Sequence, residues 1–208
     1  MTERLSPENE ARFWEHLAAT EEFFMGTAPV HEATRRITKI LEEMSLPYAL
    51  IGAMALNEYG FERATVDVDI LLTEDSLRAF KAAWLGRGYV EKFPGSRGVR
   101  DAELGVSIDF VIAGHYPGDG KPKPVRFPDP ALVVQRGGRV ALLPIARMIE
   151  LKLASGMSSL DRAKDLGDAV ELIRHVKLPR ELADELDPSV RGKYLEAWDA
   201  VQNAVSMD

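Results

Sequence analysis

Cysteine is absent from all 208 residues, which excludes disulfides, thiolate zinc sites and cysteine nucleophiles at once. Long apolar runs are also missing. The most hydrophobic stretches, such as VALLPIA, are strand-sized and fall well short of the ~20 residues that cross a bilayer. The first residues, MTERLSPENEARFW, mix charges with apolar positions and lack the unbroken apolar centre of a secretory leader, so a cytoplasmic location without membrane attachment is expected. Positive charge is in deficit, with 26 Lys and Arg against 33 Asp and Glu and a net charge of -7. That balance argues against a protein that coats nucleic acid, because such binding runs on phosphate neutralisation, but it leaves room for one basic groove. The rest of the composition, 46% hydrophobic and 28% charged, suits a soluble chain with one large domain or a core plus a smaller part.

Patterning divides the chain. Ser6-Pro7-Glu8 reads as a helix start, with Leu17, Phe23 and Phe24 on an apolar face. A second helix is expected from about His31 to Met44, ended by Pro47, and Tyr48 to Ile51 reads as a short buried strand. Val66, Val68 and Ile70 alternate with Asp67 and Asp69, a strand pattern with the apolar set pointing into a core. Asp75 to Gly88 reads as a helix closed by Gly86 or Gly88. Strands follow at Tyr89–Phe93, Val99–Leu104 and Val106–Ala113. Gly114 to Pro130 carries five prolines and three glycines and is expected to be a loop. After a strand at Val140–Leu143 the chain turns helical, at Ile145–Ala154, Leu160–His175, Arg180–Leu186 and Val190–Val205. The expected division is therefore N-terminal helices over 1–45, an α/β core over 46–144 and a helical part over 145–208. Trp14, Trp84 and Trp198 fall in helices and are expected to pack in cores.

The chemistry concentrates in LIGAMALNEYGFERATVDVDILL. Asp67 and Asp69 are two apart on a strand and share a face. Carboxylates ~4 Å apart repel by ~4 kcal/mol at an effective dielectric near 20, so either one takes a proton or a cation sits between them. Oxygen-only ligation suits Mg²⁺ (or Mn²⁺), held by one or two carboxylates and substrate phosphates. In VSIDFVIAG, Asp109 stands on the face opposite Val106, Ile108, Phe110 and Ile112. If the two strands are neighbours, three carboxylates converge, enough for two metal ions and an in-line phosphoryl displacement. Upstream, Gly52 and Ala53 join a strand to a helix, where backbone N–H groups can meet a phosphate. Arg63 and Thr65 can add a charge and a hydroxyl.

The order Ile51-Gly52-Ala53, then Asp67-Val68-Asp69, resembles the DNA-polymerase-β-type nucleotidyltransferase superfamily in its small bacterial branches. Arg63-Ala64-Thr65 before the acids resembles the R-x-[ST]-x-D-[IVL]-D run of the abortive-infection and toxin–antitoxin nucleotidyltransferases. One departure is Ala53, where Gly or Ser is usual and serine would bond a triphosphate oxygen. Those branches also carry a Lys on a helix and a K-D run on the next, which Lys152 and Lys164-Asp165, with Asp168, match. The resemblance spans about Pro47 to Arg174 and implies a mixed α/β (α+β) sheet with flanking helices and a helical C-terminal part.

It further implies transfer of an NMP from an NTP such as ATP to an acceptor hydroxyl on a tRNA end, a protein or a small molecule. Asp67, Asp69 and Asp109 would be the catalytic, metal-holding residues. Gly52, Ala53, Arg63, Thr65, Lys152 and Asp165 would bind the nucleotide. A toxin–antitoxin partner protein is a further implication. The alternative is a nucleotidyltransferase-like antitoxin or scaffold with weak or absent catalysis, which Ala53 favours. His16, His31, His115 and His175 are scattered, and neither a G-x-S-x-G elbow nor a G-x-x-x-x-G-K-[ST] phosphate loop is present. Arg97, Arg100, Lys121, Lys123 and Arg126 are either solvated loop charges or a basic rim for a polyanionic acceptor.

Overall fold

The computed structural model describes residues 20, 22–23, 28–61, 63–137 and 140–205. The expected helix start at Ser6, together with Leu17, Phe24, Trp14 and His16, lies outside them.

Helix α1 (Pro29–Glu43) begins with proline in its first turn, where the missing N–H costs nothing. It buries Val30, Ala33, Ile37 and Leu41 against the sheet. Strand β1 (Tyr48–Ile51) is buried throughout and runs directly into the short helix α2 (Gly52–Glu58). Strand β2 (Asp67–Leu72) follows, then helix α3 (Glu74–Trp84), whose start is capped by the Thr73 hydroxyl accepting the Ser76 N–H. Strands β3 (Tyr89–Glu91), β4 (Val99–Asp101) and β5 (Ser107–Ile112) come next. Among the described residues the sheet has seven strands, completed by β6 (Gln135–Gly137) and β7 (Val140–Leu142), in the order β3-β4-β5-β2-β1-β7-β6. The β2–β5 and β1–β7 pairs are parallel and the others antiparallel, so the sheet is mixed, as expected from the sequence. Val68, Ile70 and Ile108 are wholly buried at its centre.

Beyond β7 the described chain is helical. Helices α5 (Ile145–Gly156), α6 (Ala163–Val176) and α7 (Pro188–Val205) pack on one another, and Tyr194 is fully enclosed with its hydroxyl donating to the Pro179 carbonyl at 2.7 Å. Buried Glu150 accepts from Arg147 and from the Asp187 N–H at 2.6 Å, tying α5 to the start of α7.

Several elements differ from the sequence expectation. Helix α3 stops at Trp84, short of the glycines, because Leu85 turns extended and bridges to Tyr89. Val66 precedes β2 and is 84% exposed, so it is no part of the core. The helix expected from Leu160 opens as a 3₁₀ turn, and Arg180–Glu185 is 3₁₀ throughout. The helical turn α4 (Pro130–Val133), capped by Asp129, and strand β6 were not expected. Trp84 and Trp198 are half-buried against the core.

Candidate active site

The acids lie where β2 and β5 run side by side. Side chains alternate along a strand, and here Asp67 and Asp69 emerge partly exposed while Val68 and Ile70 between and after them are buried. Asp69 is the direct partner of Asp109 across the parallel pair, and Asp67 is the partner of Ser107. The expectation that the two strands are neighbours, with the three carboxylates on one face, matches this register.

On the other side of β2, Ile51 is the partner of Asp69, so the next residue, Gly52, sits over the Asp69 carboxylate. Gly52 has φ 65°, and a Cβ there would stand 2.8 Å from Asp69 Cγ and 2.9 Å from its Cβ while overlapping Oδ2. Glycine is thus required both by backbone conformation and by the closeness of the acid. Gly52→Ala is expected to cost about 2–4 kcal/mol, left-handed strain plus overpacking, read as a lower urea midpoint. An unchanged midpoint would mean the Asp69 carboxyl steps aside at no cost.

Burial, then the charges of Asp67 and Asp109, push the Asp69 carboxyl up to about 6, with Lys152 and Lys92 pulling the other way. Asp67 is held by its neighbour: the Thr65 hydroxyl donates to its carboxylate. The preceding loop is pinned by Asn57, whose side-chain amide takes the Arg63 N–H at 2.6 Å and donates to the Arg63 carbonyl at 3.1 Å. The Arg63 guanidinium reaches across to α6 and donates to Asp168 at 2.8 Å. Lys152, on α5, donates to Asp165 at 2.6 Å and to the same Asp168 at 2.7 Å, and Asp165 also accepts the Ser155 hydroxyl at 2.6 Å. Burial alone would lower the Lys152 ammonium, but the two carboxylates outweigh it and its pKa rises. For Asp165 burial works upward, and the Lys152 and Ser155 bonds prevail and hold its carboxyl below the usual range. Arg63, Thr65 and Lys152, expected to meet a phosphate, are bonded to the protein's own acids.

Asp109 has a partner that the sequence did not announce. Lys92, just past β3, places its ammonium 2.9 and 3.0 Å from the two Asp109 oxygens. Among the described residues no three His, Asp or Glu side chains are gathered so as to enclose a metal ion. Asp67 and Asp69 are two hard oxygen donors, and Asp69 is raised by burial and by the neighbouring Asp67 charge; together they still suit one Mg²⁺ whose remaining ligands are phosphates and water.

Two cavities meet at this point. The larger, about 1130 Å³, is bordered by Gly52, Ala53, Arg63, Thr65, Asp67 and Lys164. The smaller, about 790 Å³, is floored by Phe110, Met148 and Leu151 and edged by Arg97 and Tyr116. Asp69, Lys152 and Asp165 line both. Two of the basic loop residues are engaged: Lys123 pairs with Asp119, and Arg126 lies 4.9 Å over the Tyr116 ring. Lys121 and Arg100 are exposed. Of the described histidines, His31 lies against Phe23 and His175 is stacked on Phe61, while His115 lines the smaller cavity.

Fold and site together define an α/β chain with a carboxylate pair on one cavity, one member of which, Asp69, also lines a second. No known protein family and no individual curated protein matches the sequence. Among solved structures it is similar to the antibiotic-resistance factor ANT(2'')-Ia, at 13% identity over 84% of this chain and 93% of that one, with a TM-score of 0.44. That likeness is too weak to bear on activity. Among the described residues no helix is long and apolar enough to cross a membrane.

Proposed function

We propose that the chain is a Mg²⁺-dependent nucleotidyltransferase, moving an NMP from an NTP to an acceptor hydroxyl with release of pyrophosphate. The observation that carries this reading is the placement of Asp69 where both cavities meet, with Asp67 beside it on the larger one and Asp109 directly across from it. Asp67 and Asp69 would hold the ion, which when bound polarises a phosphoryl oxygen. The larger cavity, with Arg63 and Lys164 on its wall, takes the NTP. Ala53 offers backbone without a hydroxyl there. Asp165 and Asp168 share Lys152, and Asp168 also holds Arg63, so both cations stay aimed at the cavity until a triphosphate competes for them.

The smaller cavity admits the acceptor from the opposite side of Asp69. The acceptor oxygen forms its bond to the α-phosphorus as the bond to the bridging oxygen breaks and pyrophosphate leaves. The hydroxyl proton leaves across the acid face to solvent, while Asp109, whose two oxygens are held by the Lys92 ammonium, is not needed to hold the ion. The size of the smaller cavity suits a small molecule, one protein side chain or a single terminal nucleotide of tRNA.

The test is an acceptor screen with all four α-labelled NTPs and Mg²⁺ or Mn²⁺, on tRNA, on co-purified or neighbouring-gene protein partners, and on small hydroxyl compounds. Label transfer is expected to one of these classes and to vanish in Asp67→Ala and Asp69→Ala. Transfer that persists in both variants, or that needs no divalent ion, would overturn the reading.

A further inference from the structure

The Lys92–Asp109 pair is built into the sheet edge. The loop between β3 and β4 is anchored at both ends, since Lys81 of α3 pairs with Glu91 at 2.7 Å and bonds the Ser96 carbonyl, while the Gly95 N–H donates to Glu91 at 2.9 Å. This anchoring starts Lys92 at a fixed point beside β4, its N–H reaching the Gly98 carbonyl at 3.4 Å. The side chain then crosses over Gly98 to Asp109. A Cβ on Gly98 would stand 2.7 Å from Asp109 Oδ1, 2.9 Å from Lys92 Cδ and 3.0 Å from the Ile108 carbonyl oxygen. The backbone of Gly98 lies outside the left-handed region, so glycine is needed there for room rather than for conformation. What needs the room is the lysine–aspartate pair.

Charge counting gives the pair a purpose. Three carboxylates, Asp67, Asp69 and Asp109, share one face, and one divalent ion between the first two leaves the third uncompensated. A single ammonium compensates it. We infer that Lys92 is a resident cation in the place where a second metal ion would sit, so that this chain binds one divalent ion where its three acids alone would bind two. The inference rests on the reading of Asp67 and Asp69 as metal-holding. In the transfer step Lys92 is a positioning residue: it keeps Asp109 turned to the acid face and supplies fixed positive charge there.

The experiment counts ions rather than turnover. Full-length protein is dialysed to equilibrium against Mn²⁺ and a non-hydrolysable α,β-methylene NTP, with nucleotide alone as the blank, and its electron paramagnetic resonance spectrum is recorded. Wild type and Lys92→Arg are expected to hold one Mn²⁺ per chain with an uncoupled spectrum. Lys92→Gln is expected to hold two, with the broadening of a spin-coupled pair. The Lys92 side chain is about a third exposed and glutamine keeps most of its length over Gly98, and an unchanged melting temperature checks that the fold is intact. Two ions in wild type, or one in Lys92→Gln, would overturn the role of Lys92 and leave the metal reading standing. No ion in any of the proteins would overturn both.

Discussion

Asp69→Asn is expected to abolish label transfer while making the metal-free protein more stable. The activity side follows from the loss of one of two ion-holding carboxylates, for which about a 100- to 1,000-fold fall in rate is a reasonable floor. The stability side follows from the raised carboxyl. Its ordinary value is 3.8, and the folded protein lifts it to about 6 through burial and the charges of Asp67 and Asp109. A group whose pKa is raised on folding contributes stability fully below its unfolded value and loses it as pH rises through the folded one. Above pH 6 wild type therefore carries a penalty of about 3 kcal/mol that asparagine, neutral at every pH, does not. The variant is expected to melt about 5–10 °C higher than wild type at pH 8 without metal. The gap should narrow between pH 6 and pH 4, and Mg²⁺ should narrow it at pH 8 by stabilising wild type alone. A variant no more stable than wild type at pH 8 would mean that neither burial nor like charge strains the ionised Asp69.

The second large effect is on stability. Asp168 is 8% exposed and accepts from both Arg63 and Lys152, joining the loop before β2 to α5 and α6. Asp168→Ala strips the guanidinium of its carboxylate and leaves Lys152 with Asp165 alone. Removing one member of a buried ion pair typically costs about 3–5 kcal/mol, because the remaining charge stays desolvated, whereas exposed pairs cost less than about 1. Urea denaturation of Asp168→Ala should show a loss in the first range, and Asp168→Asn, which keeps an acceptor for one cation, a smaller loss. A loss below about 1 kcal/mol for the alanine variant would show that water reaches both cations.

Much of the site was legible because strand alternation is a short-range rule. Asp69 and Asp109 each sit between residues that bury their side chains and Asp67 is followed by one, so their common face followed once β2 and β5 were neighbours. Gly52 was visible as a glycine between a strand and a helix, but its main reason, the Asp69 carboxylate above it, depends on the β1–β2 register. Lys92 was not legible at all. It lies 17 positions from Asp109, and neither it nor Gly98 carries a local signal; only the β3–β4–β5 pairing brings them together. The carboxylate partners of Arg63 and Lys152 were hidden for the same reason, since a sequence shows a cation but not the acids that fold onto it. Val66 erred the other way: it continues the alternating pattern one residue beyond the end of the strand, where no layer covers it.

The most direct test of the central claim is calorimetric titration of each NTP into full-length protein with and without Mg²⁺. The expected result is binding of at least one NTP that requires Mg²⁺ and is lost in Asp67→Ala and in Asp69→Ala, while both variants remain folded. Absence of NTP binding in wild type, or binding indifferent to Mg²⁺ and to both carboxylates, would contradict it.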